Sequence, residues 1–332
     1  MVSEKWNTIE CDETLSKLEG FPDEAPAFIS NDSLILDILA KVRLVANSDA
    51  AVLITGESGT GKDVVAHLIH RMGEKHMKPF IAINCAALPK DVVDNELFGH
   101  EKEAFTGAVS KKAGCFELAH GGTLFLDEIV EMHPQTQAKL LRAIENKSFR
   151  RLGGKEEVLV ETRVIAATNR DVSAALKEGT LREDLFYRLS IVEISIPPLR
   201  NRKKDIPFLI EHFFSMFAKQ YERPPKQFSE ESMEMLMAFD WPGNVRELRN
   251  IVERMMLVCP DEIITVKDLP EKFGHSSSTS NSVIVPVGIS LAEAEKILIH
   301  RTLDSVNNNK SVAARVLGVS RKTLYSKMKG RG

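Results

Sequence analysis

Residues 52–63, which read Val-Leu-Ile-Thr-Gly-Glu-Ser-Gly-Thr-Gly-Lys-Asp, limit what this chain can fold into more than any other stretch. A short apolar run leads into a glycine-rich turn. Val64, Val65, Leu68, Ile69 and Met72 then recur at the spacing of one helix face. The pattern Gly56-x4-Gly61-Lys62 therefore sits between a strand and a helix. Glycines let a backbone wrap closely round phosphate oxygens, a helix N-terminus adds partial positive charge, and Lys62 has the reach for a terminal phosphate. The spacing alone is weak evidence; its strand–turn–helix setting is what marks a nucleotide site. Gly56, Glu57, Ser58, Gly59, Thr60, Gly61 and Lys62 are the expected nucleotide-binding residues. Such loops place Ser or Thr after the lysine to ligate Mg2+, and Asp63 stands there instead. An aspartate still suits the water shell of the metal. ATP with Mg2+ is thus the expected cofactor pair, with Asp63 beside the metal.

The rest of the chain supplies a sheet to carry that loop. Residues 51–55, 80–84, 123–128, 163–168 and 191–196 are short apolar or β-branched runs that suit buried parallel strands. Helical patterns lie between them, such as Leu140, Leu141 and Ile144. The alternation implies an α/β fold with a parallel central sheet between about residues 26 and 198. Within Gly121-Gly-Thr-Leu-Phe-Leu-Asp-Glu-Ile129, a strand delivers Asp127 and Glu128 to its C-terminal edge, where open α/β sheets place ligands. Asp127 suits Mg2+, and Glu128 suits the polarisation of an attacking water. From 203 to 273 the strand signals stop. Three amphipathic patterns follow, one opening at Ser229, and they imply a helical subdomain. The polar run at 275–282 opens a flexible linker, taken as 276–288.

Charge narrows the partners. The net charge of −3 conceals a tail, residues 289–332, with nine Lys/Arg against three Asp/Glu; the remainder holds 35 basic and 44 acidic residues. A tail of +6 on a body of −9 suits contact with a polyanion through the tail. Within 307–330, Ser311 to Leu317 reads as a short helix with Val312, Ala313, Val316 and Leu317 apolar. Gly318 falls in a turn, and Ser320 caps a second helix whose Leu324 and Met328 face inward. Arg321, Lys322, Thr323, Tyr325, Ser326 and Lys327 with Ser320 then form the surface for double-stranded DNA. Four cysteines without metal-ligand spacing read as reduced thiols, and the start lacks a signal-peptide pattern, so a cytoplasmic protein is expected.

Between the glycine-rich loop and the acidic pair the chain reads Phe98-Gly-His-Glu-Lys-Glu103-Ala-Phe-Thr-Gly-Ala108, an exposed-looking loop with a bare aromatic. This stretch closely resembles the GAFTGA signature of the bacterial enhancer-binding activators of sigma-54 RNA polymerase, which are AAA+ ATPases. Asn84-Cys-Ala-Ala-Leu88, the segment 121–129, Leu181-Arg-Glu-Asp-Leu-Phe-Tyr-Arg-Leu189 and Trp241-Pro-Gly-Asn-Val-Arg-Glu-Leu248 are similar to further motifs of that family. The tail resembles its Fis-type helix-turn-helix domain. The resemblance implies an AAA+ P-loop domain (26–275) with a helical lid (203–273) and a small all-α DNA-binding domain (289–332). It also implies a homo-hexamer that hydrolyses ATP to remodel sigma-54 RNA polymerase holoenzyme while bound at upstream DNA.

Residue roles follow from the same likeness. Asn84 matches a switch residue that hydrogen-bonds the catalytic glutamate, Thr168-Asn169 the first sensor, and Arg246 the second sensor on the lid. Arg182 and Arg188 match arginine fingers reaching into the neighbouring subunit. Ala104, Phe105, Thr106, Gly107 and Ala108 match the loop that touches sigma-54. Glu103 replaces that signature's first glycine, which puts the efficiency of sigma-54 contact in question. A DNA-binding AAA+ regulator acting without sigma-54 is therefore a second reading, and a general AAA+ remodeller or replication initiator a third. Residues 1–25 are too short for a receiver domain, so a separate regulatory protein or expression level would set activity.

Overall fold

The computed structural model describes residues 28, 30, 32–274, 290–306 and 309–328. The N-terminal segment 1–25 and the linker 276–288 of the sequence reading lie outside them. The chain divides into two units, the first ending at Asp268.

The first unit opens with α1 (Ser33–Ala46), β1 (Val52–Thr55), α2 (Lys62–Arg71), β2 (Phe80–Asn84), α3 (Lys90–Phe98), α4 (Cys115–Leu118) and β3 (Thr123–Asp127). There follow α5 (Pro134–Asn146), β4 (Ser148–Arg150), β5 (Glu157–Leu159), β6 (Arg163–Thr168), α6 (Val172–Glu178), α7 (Glu183–Leu189) and β7 (Val192–Ser195). Five strands form one parallel sheet in the order β2-β3-β6-β1-β7. All five expected strands are present, within a residue of their expected ends.

Both faces of the sheet are covered, which is why its strands read as unbroken apolar runs. Val52, Ile54, Ile165 and Ala167 pack under α1 and α2 with Ile35, Val42, Val65 and Ile69. The alternate positions Leu53, Leu124, Leu126, Val164 and Ala166 pack under α3 to α7 with Leu97, Phe116, Leu140, Leu185 and Leu189. This three-layer arrangement puts the turns after β1 and β3 at the same C-terminal edge.

The lid comprises α8 (Asp205–Gln220), α9 (Glu230–Ala238) and α10 (Asn244–Val258). It is not purely helical: β8 (Gln227–Phe228) and β9 (Ile263–Ile264) pair in parallel. Ser229 caps α9 as expected, accepting the Ser232 N–H. α11 (Glu271–Gly274) follows the boundary between the units.

In the second unit α12 (Leu291–Ser305), α13 (Lys310–Val316) and α14 (Arg321–Met328) enclose Ile299, Leu303, Ala313, Ala314 and Leu324. Asn309 caps α13, Gly318 adopts φ +66°, and the Ser320 hydroxyl accepts the Thr323 N–H. Of the apolar residues noted on this helix, Ala313 and Leu317 pack on the core and Val312 and Val316 do not. Val312 and Val316 are 39% and 63% exposed, because a seven-residue helix seated on two others presents only Ala313, Ala314 and Leu317 to them. Leu324 is buried as expected; the Met328 side chain lies outside the described residues.

Candidate nucleotide site, partner loop and DNA-binding face

The phosphate-binding loop takes its shape from three glycines with φ of +153°, +78° and +100° at Gly56, Gly59 and Gly61. Its carbonyls are turned away and occupied. Gly59 C=O accepts the amides of Val245 and Arg246, Ser58 C=O accepts Asn244 Nδ2, and Thr60 C=O accepts Arg202 Nη2. The amides of Ser58, Gly59, Gly61 and Lys62 donate to no partner among the described residues, so they remain as donors for anionic oxygens. Lys62 is nearly buried, and its Nζ donates to Gly56 C=O at 2.9 Å and Glu57 C=O at 3.3 Å. The cradle fits a polyphosphate.

The acidic pair stands beside it. Asn84 is register partner to Asp127 across β2 and β3, and Asn84 Nδ2 donates to Asp127 Oδ2 at 3.0 Å. The expected bond from Asn84 to the glutamate is thereby corrected. The register offers Asn84 the residue before Glu128, and Glu128 turns off the strand with φ +55°. That left-handed backbone, costly for a glutamate, aims its carboxylate at two groups: the Asn169 N–H at 2.9 Å and Lys62 Nζ at 3.7 Å. Burial, then the neighbouring Glu128, holds the Asp127 carboxyl above the ordinary aspartate range. Asp63, on the first turn of α2, is exposed, and no cluster of three metal-ligating side chains occurs among the described residues. The protein thus offers one or two carboxylates, the sparse donor set with which Mg2+ binds phosphates.

Arg246 Nη1 donates to Ser58 Oγ at 2.9 Å, which sets this lid residue on the phosphate-binding loop. Arg182 and Arg188 are elsewhere. Arg182 immediately precedes α7, is exposed and grips Asp184 at 2.7 and 3.0 Å; Arg188 is exposed in the last turn of that helix. Neither makes a hydrogen bond or ion pair to the loop, Asp127 or Glu128 of its own chain among the described residues. Sequence reasoning missed Gln137. Fully buried on α5, it accepts the Arg182 amide and donates to Met132 and Thr180 carbonyls, fixing where α7 begins.

The loop 101–111 rises from an antiparallel bridge between His100 and Lys112. Phe105 is 47% exposed with its ring edge-on to His100, and Glu103 N–H donates to Ala108 C=O. Glu103 has φ +67°. The position adopts the left-handed region in which glycine costs little and a glutamate roughly 1–2 kcal/mol. Ala104 packs on Gly153 so closely that a Cβ there would lie 2.7 Å from it. Arg151 binds the loop base through Glu101 and α4 through Glu117.

On α14, Arg321, Lys322, Thr323, Tyr325, Ser326 and Lys327 are all exposed. Their situations differ. Lys327 is paired with Glu295 of α12, Tyr325 lies under the Lys310 ammonium at 4.9 Å, and Thr323 is tied to the Ser320 cap.

Comparison with known proteins decides the family. A family model described as the sigma-54 interaction domain matches residues 28–195, one described as an AAA+ ATPase lid domain matches 200–284, and one for Fis-family bacterial regulatory proteins matches 290–330. This chain belongs to the sigma-54-dependent activators. It is 44% identical over 296 residues to the transcriptional regulatory protein ZraR of Escherichia coli (strain K12), covering 88% of this chain and 66% of ZraR. Over 310 residues it is 43% identical to the regulatory protein AtoC of the same strain, covering 92% and 67%. It thus spans about two thirds of the length of these curated relatives. The crystal structure of NtrX from Brucella abortus in complex with ADP superposes with a TM-score of 0.71 at 34% identity, covering 92% of this chain and 70% of that one. No helix among the described residues is long and apolar enough to cross a membrane.

Proposed function

We propose that the chain is the ATP-hydrolysing engine of a sigma-54 activator, working as a ring of identical subunits bound to upstream DNA. The observation that carries this is the convergence at one sheet edge of Lys62, Asp127 and Glu128 with the Arg246 contact from the lid. Lys62 and the loop amides would hold the phosphates, and Asp127 the Mg2+, whose role when bound is to neutralise charge on the phosphate oxygens. Glu128, held by the Asn169 amide, is placed to orient a water and accept its proton.

A phosphoryl transition state spreads charge that a second cation stabilises by about 10³–10⁵ in rate where an arginine finger supplies it. Among the described residues of one chain, Arg182 and Arg188 make no hydrogen bond or ion pair with the loop or the acidic pair and stand exposed on α7. We assign them to the site of the adjacent subunit. A complementation experiment tests this. Arg182→Ala and Glu128→Gln chains are each expected to be nearly inactive alone, and mixtures to regain hydrolysis at interfaces pairing an intact site with an intact arginine. Mixtures as inactive as their components, or an Arg182→Ala chain with full activity, would contradict it.

Phe105 is the surface proposed for sigma-54, and α14 that for DNA. The left-handed Glu103 favours one second reading, in which the loop works poorly on sigma-54 and the chain regulates through DNA and ATP alone.

A further inference from the structure

Glu57 is an unexpected side chain in a loop built for polyanions, because a free carboxylate there repels phosphate. The structure shows where its charge goes. Arg200 donates to both carboxylate oxygens, Nη2 to Oε1 at 2.5 Å and Nη1 to Oε2 at 2.8 Å. Asn244 Nδ2 adds a bond to Oε2 at 3.2 Å.

Both partners lie at joints. Arg200 is in the turn Leu199–Asn201, where the chain leaves the sheet for the lid. Asn244 is the first residue of α10, fully buried, with φ +51°, a conformation that persists only where neighbours enforce it. They do so on every side: its Oδ1 accepts the Leu199 N–H at 2.8 Å, and its Nδ2 also donates to Ser58 C=O at 3.0 Å. Next to it, Gly59 approaches so closely that a Cβ would lie 2.4 Å from Gly243 C=O.

We infer that Glu57 is a positioning residue that pins the hinge turn and the N-terminus of α10 to the phosphate-binding loop. Loop occupancy and lid position then form one equilibrium, and Arg246 is held at Ser58 because Glu57 holds Arg200 and Asn244. The inference rests on reading the loop as an ATP site, and it reverses the expectation that Glu57 itself binds nucleotide.

Binding of a fluorescent ATP analogue to the full chain, with Glu57→Gln, Arg200→Gln and the double variant, tests it. The pair is about 40% exposed, so each single change should weaken affinity only about two- to fivefold. The double variant should be no weaker than either single one, because both remove the same link. If Glu57 merely stood near the phosphates, Glu57→Gln would tighten binding by removing repulsion. Tighter or unchanged affinity in Glu57→Gln, or additive losses in the double variant, overturns the inference. Failure of the wild-type chain to bind the analogue contradicts the nucleotide reading beneath it.

Discussion

At the scale of single residues, the site was legible where chemistry and spacing coincide. Gly56, Gly61 and Lys62 lie within seven positions, and Asp127-Glu128 close an apolar strand, so sequence alone placed them together. Asn244, Arg200 and Gln137 carry no such signal. Their roles arise from a positive φ or from contacts with residues distant in sequence, such as Gln137 with Arg182 and Arg200 with Glu57, which no local pattern encodes. The same holds for Asn84, whose partner was misjudged by one residue because strand register is a tertiary fact. His70 is another residue that only the fold explains. It is 3% exposed, with Nδ1 at 2.9 Å from Thr123 Oγ1, and burial pushes its pKa from 6.5 down to about 4. A histidine kept neutral in the fold takes up its proton more readily when unfolded. Stability from this group is therefore fully present above about pH 6.5 and is lost as pH falls toward 4. Melting curves should lose up to roughly 3 kcal/mol across that window, and His70→Leu should flatten this acid limb. An acid limb identical in the variant would show that His70 does not cause it.

At the scale of elements, the five sheet strands were legible because burial on both faces makes them uniformly apolar. The hairpin β4–β5 was not, since its strands are three residues each, mixed in composition, with Phe149 alone buried. The apolar face of α2 was legible in the sequence, whereas α13 is too short for periodicity to decide which of its apolar residues are buried. Contact between elements also limits substitution. Gly59 combines φ +78° with the carbonyl of Gly243 against its bare Cα, so Gly59→Ala must both strain the loop and push α10 away. Roughly 2–4 kcal/mol of stability should be lost, read as a lower melting temperature of the first unit together with weaker nucleotide binding. Unchanged melting would mean that the lid does not rest on the loop in solution.

At the scale of the whole molecule, the basic tail 289–332 falls within the second unit, whose boundary after Asp268 lies ahead of the linker expected at 276–288. A loop with an exposed Phe105, based on the Arg151 ion pairs, is far along the chain from the helices proposed for DNA, and the proposed function of both depends on ATP hydrolysis. Open-complex formation by sigma-54 holoenzyme on a promoter with upstream sites tests that claim most directly, comparing the wild-type chain with Glu128→Gln and Phe105→Ala. The account predicts ATP-dependent strand opening by the wild-type chain, none with Glu128→Gln, and none with Phe105→Ala although that variant still hydrolyses ATP. Opening that proceeds without ATP, or undiminished with Phe105→Ala, would contradict it, as would a wild-type chain that hydrolyses ATP and opens nothing.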